Sequence, residues 1–168
     1  AGQELAGPAW GEDSGIGVLL TGSLGSLPRY EISRNDPAYL EFWRRLYQIY
    51  VLNAGTTYAY SFLAKPGSTQ WVGFSLYESD DYTFTVSVNL STGQVRDDGS
   101  RGITGMQTVT RPFEGGRFIT IYFTPPSTFS NAALGIYPSA PTGGSYQYGH
   151  GIFATAVQLE NVSTFCGP

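Results

Sequence analysis

One stretch constrains the fold more than any other: Tyr82-Thr83-Phe84-Thr85-Val86-Ser87-Val88-Asn89-Leu90. Apolar and small polar residues alternate there without a break, and Ser91-Thr92-Gly93 then turns the chain. Successive side chains of a strand point to opposite faces, so every apolar residue of the stretch falls on one face. A single hairpin cannot bury such a face. It needs a second apolar layer, which makes the chain an all-β sandwich or barrel.

The rest of the sequence repeats the pattern. Thr57–Ala64 sets Tyr58, Tyr60 and Phe62 on one side, Trp71–Tyr77 sets Val72, Phe74 and Leu76, and Arg117–Thr124 sets Ile119, Ile121 and Phe123. Further strands are read at Arg29–Ser33, Gln107–Thr110, Ala133–Tyr137 and Ile152–Leu159, with a return beginning at Gln94-Val95-Arg96. Tyr39–Trp43 and Leu46–Leu52 also read as strands. A helix across Pro37–Tyr50 competes, because Leu40, Trp43 and Tyr47 have helical spacing, but the β-branched and aromatic content of Tyr47–Val51 favours strand. Turn signals stand at Asp36-Pro37, Asn53-Ala54-Gly55, Lys65-Pro66-Gly67 and Asp97-Asp98-Gly99. About ten short strands at this spacing predict an antiparallel β-sandwich of jelly-roll type over residues 28–168. Residues 1–27 read as a Gly-rich N-terminal arm with one short strand near Ile16–Leu20.

Charged residues are only 13% of the 168 and aromatics 15%, so the surface is built from Ser, Thr, Asn, Gln, Tyr and Gly. Such surfaces suit extracellular and virion proteins and neutral ligands such as sugars. With a net charge of −4 and no basic run beyond Arg44-Arg45, nucleic acid is not an expected partner. No apolar run approaches the roughly 18 residues of a spanning helix, so no membrane span is expected. The single cysteine, Cys166, allows no internal disulfide and leaves only an intermolecular one.

Four blocks in order resemble a known family. Ala54–Gly67, reading AGTTYAYSFLAKPG, is similar to a strand of the carbohydrate-binding-like jelly rolls of phage tail proteins and polysaccharide-active enzymes. Val86–Val95, Gly115–Phe118 and Gly151–Glu160 are similar to the segments that follow it there, although the tryptophans of the last two blocks are absent. The resemblance covers roughly residues 54–165. It implies a calcium-tolerant sandwich found in virion appendages and carbohydrate-binding modules, and it implies no catalytic activity.

A search for chemistry supports that reading. His150 is the only histidine, sits between glycines and lacks a nucleophile motif. With one His and one distant Cys, zinc is not an expected ligand. The acidic residues lie in turn-like segments, where they are ordinary turn formers. Glu78, Asp80 and Asp81 are the candidate ligands for calcium, against the plainer reading of a solvated turn. Sugar binding needs exposed rings beside polar groups. The candidates are Trp43, Arg44, Arg45 and Tyr47, then Trp71 and Tyr77, then Tyr146, Tyr148 and His150, with Arg44-Arg45 suited to a carboxylate. The competing reading packs these rings in the core or at a subunit contact.

The expected function is therefore a non-catalytic structural or adhesion protein of a phage virion. Its expected partners are copies of itself, other virion proteins and a cell-surface or capsular glycan. The alternative is a secreted carbohydrate-binding module of a polysaccharide-degrading enzyme.

Overall fold

A computed structural model describes residues 10–162. They form twelve strands and no helix: β1 (Gly11–Glu12), β2 (Ile16–Leu24), β3 (Leu27–Arg34), β4 (Leu46–Leu52), β5 (Tyr58–Pro66), β6 (Trp71–Ser79), β7 (Tyr82–Asn89), β8 (Val95–Arg101), β9 (Gln107–Phe113), β10 (Gly116–Phe123), β11 (Phe129–Ser139) and β12 (Gly151–Asn161). Two antiparallel six-stranded sheets result, A in the order β1-β4-β11-β6-β7-β8 and B in the order β2-β3-β12-β5-β10-β9. The four central strands of each sheet, β4-β11-β6-β7 and β3-β12-β5-β10, are joined mostly by connections that cross between the sheets. That wrapping is the double Greek key of a jelly roll.

The alternation read from the sequence decides what lies between the sheets. Phe84, Val86 and Val88 of β7 meet Val72, Phe74 and Leu76 of β6, and both sets face Tyr60, Phe62, Ile119 and Ile121 of sheet B. The rings of Tyr60 and Phe74 lie 4.7 Å apart across this core.

Three local readings change. Tyr39–Trp43 is a loop rather than a strand. Asp36 caps a turn by accepting from the Ala38 N–H at 2.9 Å, and the carbonyls of Glu41 and Phe42 turn to a buried arginine instead of a neighbouring strand. Asp97-Asp98-Gly99 is not a turn but part of β8. Asp98 is the extra residue of a β-bulge opposite Thr85 and Val86, and Gly99 supplies the positive φ of 126° beside it. The strand expected near Ile16–Leu20 is longer, and as β2 it pairs with β3 inside sheet B. Gly11–Glu12 of the expected arm is a second strand, β1, paired with β4 in sheet A, while residues 1–9 and Cys166 lie outside the described residues.

β12 also carries a bulge. Thr155 pairs with Leu63 and Gln158 with Ser61, so one extra residue is inserted, and Ala156 takes φ 57°. The insertion resets the alternation: Ile152 and Ala154 face the core before it, and Val157 after it.

The Tyr60 hydroxyl is buried without a hydrogen-bond partner. Burial holds its pKa well above the usual tyrosine value. Below pH 10, the ordinary tyrosine value, the phenol is neutral in both folded and unfolded chains; above it the unfolded chain ionises first and stability falls. Tyr60→Phe is therefore expected to cost nothing, or to stabilise, at pH 7, and to lose less stability than the parent as pH rises past that value. Urea unfolding at both pH values checks this, and a loss above about 1 kcal/mol at pH 7 contradicts it.

Candidate functional site

The alternation that fills the core also fixes what the outer face of sheet A presents. Across its centre the strand registers align Tyr47, Gly135, Ser75, Thr85 and Gly99 in one row. Ile49, Ala133, Tyr77, Thr83 and Arg101 form the next row. The small side chains of Gly135, Ser75, Thr85 and Gly99 form a trough, with Tyr47 at one end of their row and Tyr77 in the row beside it. Two loops cover part of it, residues 35–45 between β3 and β4 and residues 140–150 between β11 and β12.

One residue anchors both loops. Arg34, at the end of β3, is fully buried. Its Nε donates to the Pro138 carbonyl at 3.0 Å, Nη1 to the Glu41 carbonyl at 3.0 Å and Nη2 to the Phe42 carbonyl at 3.5 Å. Its guanidinium lies 4.4 Å from the Tyr146 ring centre and 5.6 Å from that of Tyr137. Its backbone N–H donates to the His150 carbonyl, and its carbonyl accepts from the Gly149 N–H. Burial pulls its pKa down to about 10, so the cation persists at neutral pH on carbonyl dipoles and ring faces.

What remains open is a cleft of about 840 Å³, within the range of ligand sites. Ser75, Thr83, Thr85 and Gly99 line it from the sheet, and Phe42, Trp43 and Tyr77 add rings. These three rings keep 49%, 41% and 41% of their surface exposed, so each is available to a ligand. Charged groups also line the cleft: Asp13, Arg45, Asp80, Asp98 and Arg101. The Asp13 carboxylate accepts from the Arg45 backbone N–H at 3.0 Å. Asp80 accepts from the Tyr77 hydroxyl at 3.0 Å, a bond that raises the pKa of that phenol, and its carbonyl accepts from Arg101 at 3.3 Å. Asp98 pairs with Arg96 at 2.6 Å and accepts from Ser87.

The cleft gathers Trp43, Arg45 and Tyr77 from the residues singled out in the sequence, together with Asp80. Arg44 braces Trp43 instead of facing the cleft: its guanidinium lies 4.0 Å from the Trp43 ring centre and 4.7 Å from that of Tyr39, and it pairs with Glu41 at 3.0 Å. Tyr47 is half-buried beneath Arg45 and Gly11. Trp71, expected as an exposed platform, is buried under Arg96, whose guanidinium lies 4.5 Å from its ring centre. The bulge at Asp98 sets that arginine in place. Tyr146 packs on Arg34, whereas Tyr148 is exposed on the same loop. His150 Nδ1 accepts from the Gln147 N–H, and burial with the nearby Arg34 charge lowers its pKa.

Glu78, Asp80 and Asp81 do not converge as the calcium reading requires. Glu78 accepts from the Asn131 N–H across the sheet, and among the described residues no group of three or more His, Cys, Asp or Glu is placed to hold a metal ion. The sequence reading misses Phe42 and the Ser75–Thr85 floor, and it takes the carboxylates of Asp13 and Asp98 for turn formers. The floor had a signal, since small polar residues recur at the outward positions of two consecutive strands.

No protein-family model matches the chain, and no curated protein does.

Arg34→Lys removes the fork that holds three carbonyls. It is expected to destabilise the fold by about 1–3 kcal/mol and to open both covering loops to protease, as read by urea unfolding and limited proteolysis with mass spectrometry. Parental stability and an unchanged cleavage pattern would show that the loops hold without the clamp.

Proposed function

We propose that this protein is a non-catalytic adhesion module of a phage virion, and that it binds a glycan in the cleft over the outer face of sheet A. The observation that carries the reading is the cleft itself: a trough floored by Ser and Thr hydroxyls with three part-exposed rings on its walls. Sugar rings stack their C–H faces on aromatics while their hydroxyls exchange hydrogen bonds with polar groups. The carboxylates lining the cleft each hold a neighbouring donor, which suits recognition better than proton transfer. The low charge of the whole chain and the resemblance of residues 54–165 to the jelly rolls of phage tail proteins support the virion setting.

Assembly with copies of itself belongs to this reading. Leu19 and Leu20 on the edge strand β2, and Ile49 and Val51 on the outward face of β4, are more than half exposed. Apolar side chains grouped at sheet margins favour protein contact. A dimer or larger species in light scattering is expected. A monomer throughout would contradict the virion setting and favour a carbohydrate-binding module of a polysaccharide-degrading enzyme.

Trp43→Ala and Tyr77→Ala are each expected to weaken glycan binding about tenfold while leaving the unfolding midpoint close to the parent's, because both rings are surface groups. A glycan array followed by calorimetry reads the effect. Parental affinity in both variants would place any glycan elsewhere.

A further inference from the structure

Arg45 enters the cleft from the start of β4, and its surroundings set it apart from the other arginines of this face. Its side chain is only 7% exposed. Arg44 and Arg96 each pair with a carboxylate and Arg101 is exposed, donating to the Asp80 carbonyl, whereas Arg45 is buried with no carboxylate within ion-pair distance among the described residues. The hydrogen bond its guanidinium makes is to a neutral group, Nη1 to the Ser75 hydroxyl at 3.3 Å, and its buried Nε has no partner. The Tyr47 ring, 5.4 Å away, covers it from one side. A guanidinium carries five N–H donors in a planar fork. Leaving a buried cation so sparsely paired is costly, and an added carboxylate accepting from the fork offsets that cost.

We infer that the glycan is acidic, a saccharide carrying a carboxylate, and that Arg45 is the residue that binds this group on the cleft floor. The inference rests on the cleft being the glycan site and adds the class of sugar. The acidic residues around Arg45 do not take its place as anion partner. Asp13 accepts from the Arg45 backbone N–H, and its charge acts on the guanidinium without closing an ion pair; Asp98 pairs with Arg96, and Asp80 accepts from the Tyr77 hydroxyl. Trp43 and Tyr77, which line the same cleft, then offer ring faces to the sugar. Arg44, the other half of the sequence dipeptide, has its guanidinium against Trp43 and Glu41 and plays no part.

The test compares oligosaccharides of uronic acids, their carboxyl-reduced neutral counterparts and sulfated neutral oligosaccharides by calorimetry, against the parent, Arg45→Gln, Arg45→Lys and Trp43→Ala. Circular dichroism and unfolding midpoints establish that each variant folds. The inference expects the uronic oligosaccharide to bind the parent most tightly. Arg45→Gln should lose about 10- to 100-fold for that ligand with little change for the neutral one, and Arg45→Lys should recover part of the loss. Tighter binding of the sulfated sugar than of the uronic one would overturn the carboxylate assignment. Equal binding of acidic and neutral sugars, lost in Trp43→Ala but kept in Arg45→Gln, would overturn the inference and leave the glycan cleft standing. Failure of every saccharide to bind the parent would remove both. Should Arg45→Gln not fold, Arg45→Lys against the acidic and neutral pair decides, because the lost fork weakens only the acidic ligand.

Discussion

The structure depends on how little side-chain volume stands in the middle of sheet A on its outer face. Gly73, Gly135, Ser75, Thr85 and Ser87 occupy adjoining positions of three neighbouring strands. A Cβ at Gly73 would overlap the Tyr137 ring, which therefore lies flat across the backbone of β6 only because residue 73 is glycine. Tyr137 in turn packs beside Arg34 and Tyr146. Displace that ring and the platform under the buried arginine moves, and with it the two loops that roof the trough. The cleft is what these loops leave uncovered.

Buried cations are the other half of the account. Arg34 and Arg45 are both withdrawn from water, and burial lowers the pKa of each. Their environments differ in kind. Arg34 is surrounded by backbone carbonyls and aromatic faces, which spread its charge and tie three chain segments together. It works as a fastener. Arg45 meets one serine hydroxyl and one ring, and its buried Nε has no partner. The first is a completed interaction, and the second is arranged to be completed by something else. Two arginines in one short stretch of sequence thus have different work because of what their neighbours present.

The sandwich was readable because period-two alternation reports directly which side chains share a face, and at β5, β6, β7 and β10 it reported them well. It failed where a different force overrides local pattern. Tyr39–Trp43 looks like a strand by composition, but Asp36 turns the chain and Arg34 takes the carbonyls a strand would need. Asp97-Asp98-Gly99 looks like a turn, but Gly99 serves a bulge equally well. The site was legible only in part. Trp43, Arg45 and Tyr77 stood out because rings beside charged or polar residues are conspicuous. Trp71 was misjudged because alternation tells which face a residue occupies, not whether a distant arginine covers it. Arg34 carried no signal, since a lone arginine at a strand end usually reaches solvent.

The central claim is that a glycan lies on the outer face of sheet A. Amide and indole chemical-shift mapping during titration with an oligosaccharide that binds is its most direct test. The account predicts that the largest changes fall on Ser75, Tyr77, Thr85 and Gly99 and on the indole of Trp43, with little change on sheet B. Changes concentrated on β2, β9 or the loop bearing Tyr148, with Ser75 and Thr85 unmoved, would contradict it.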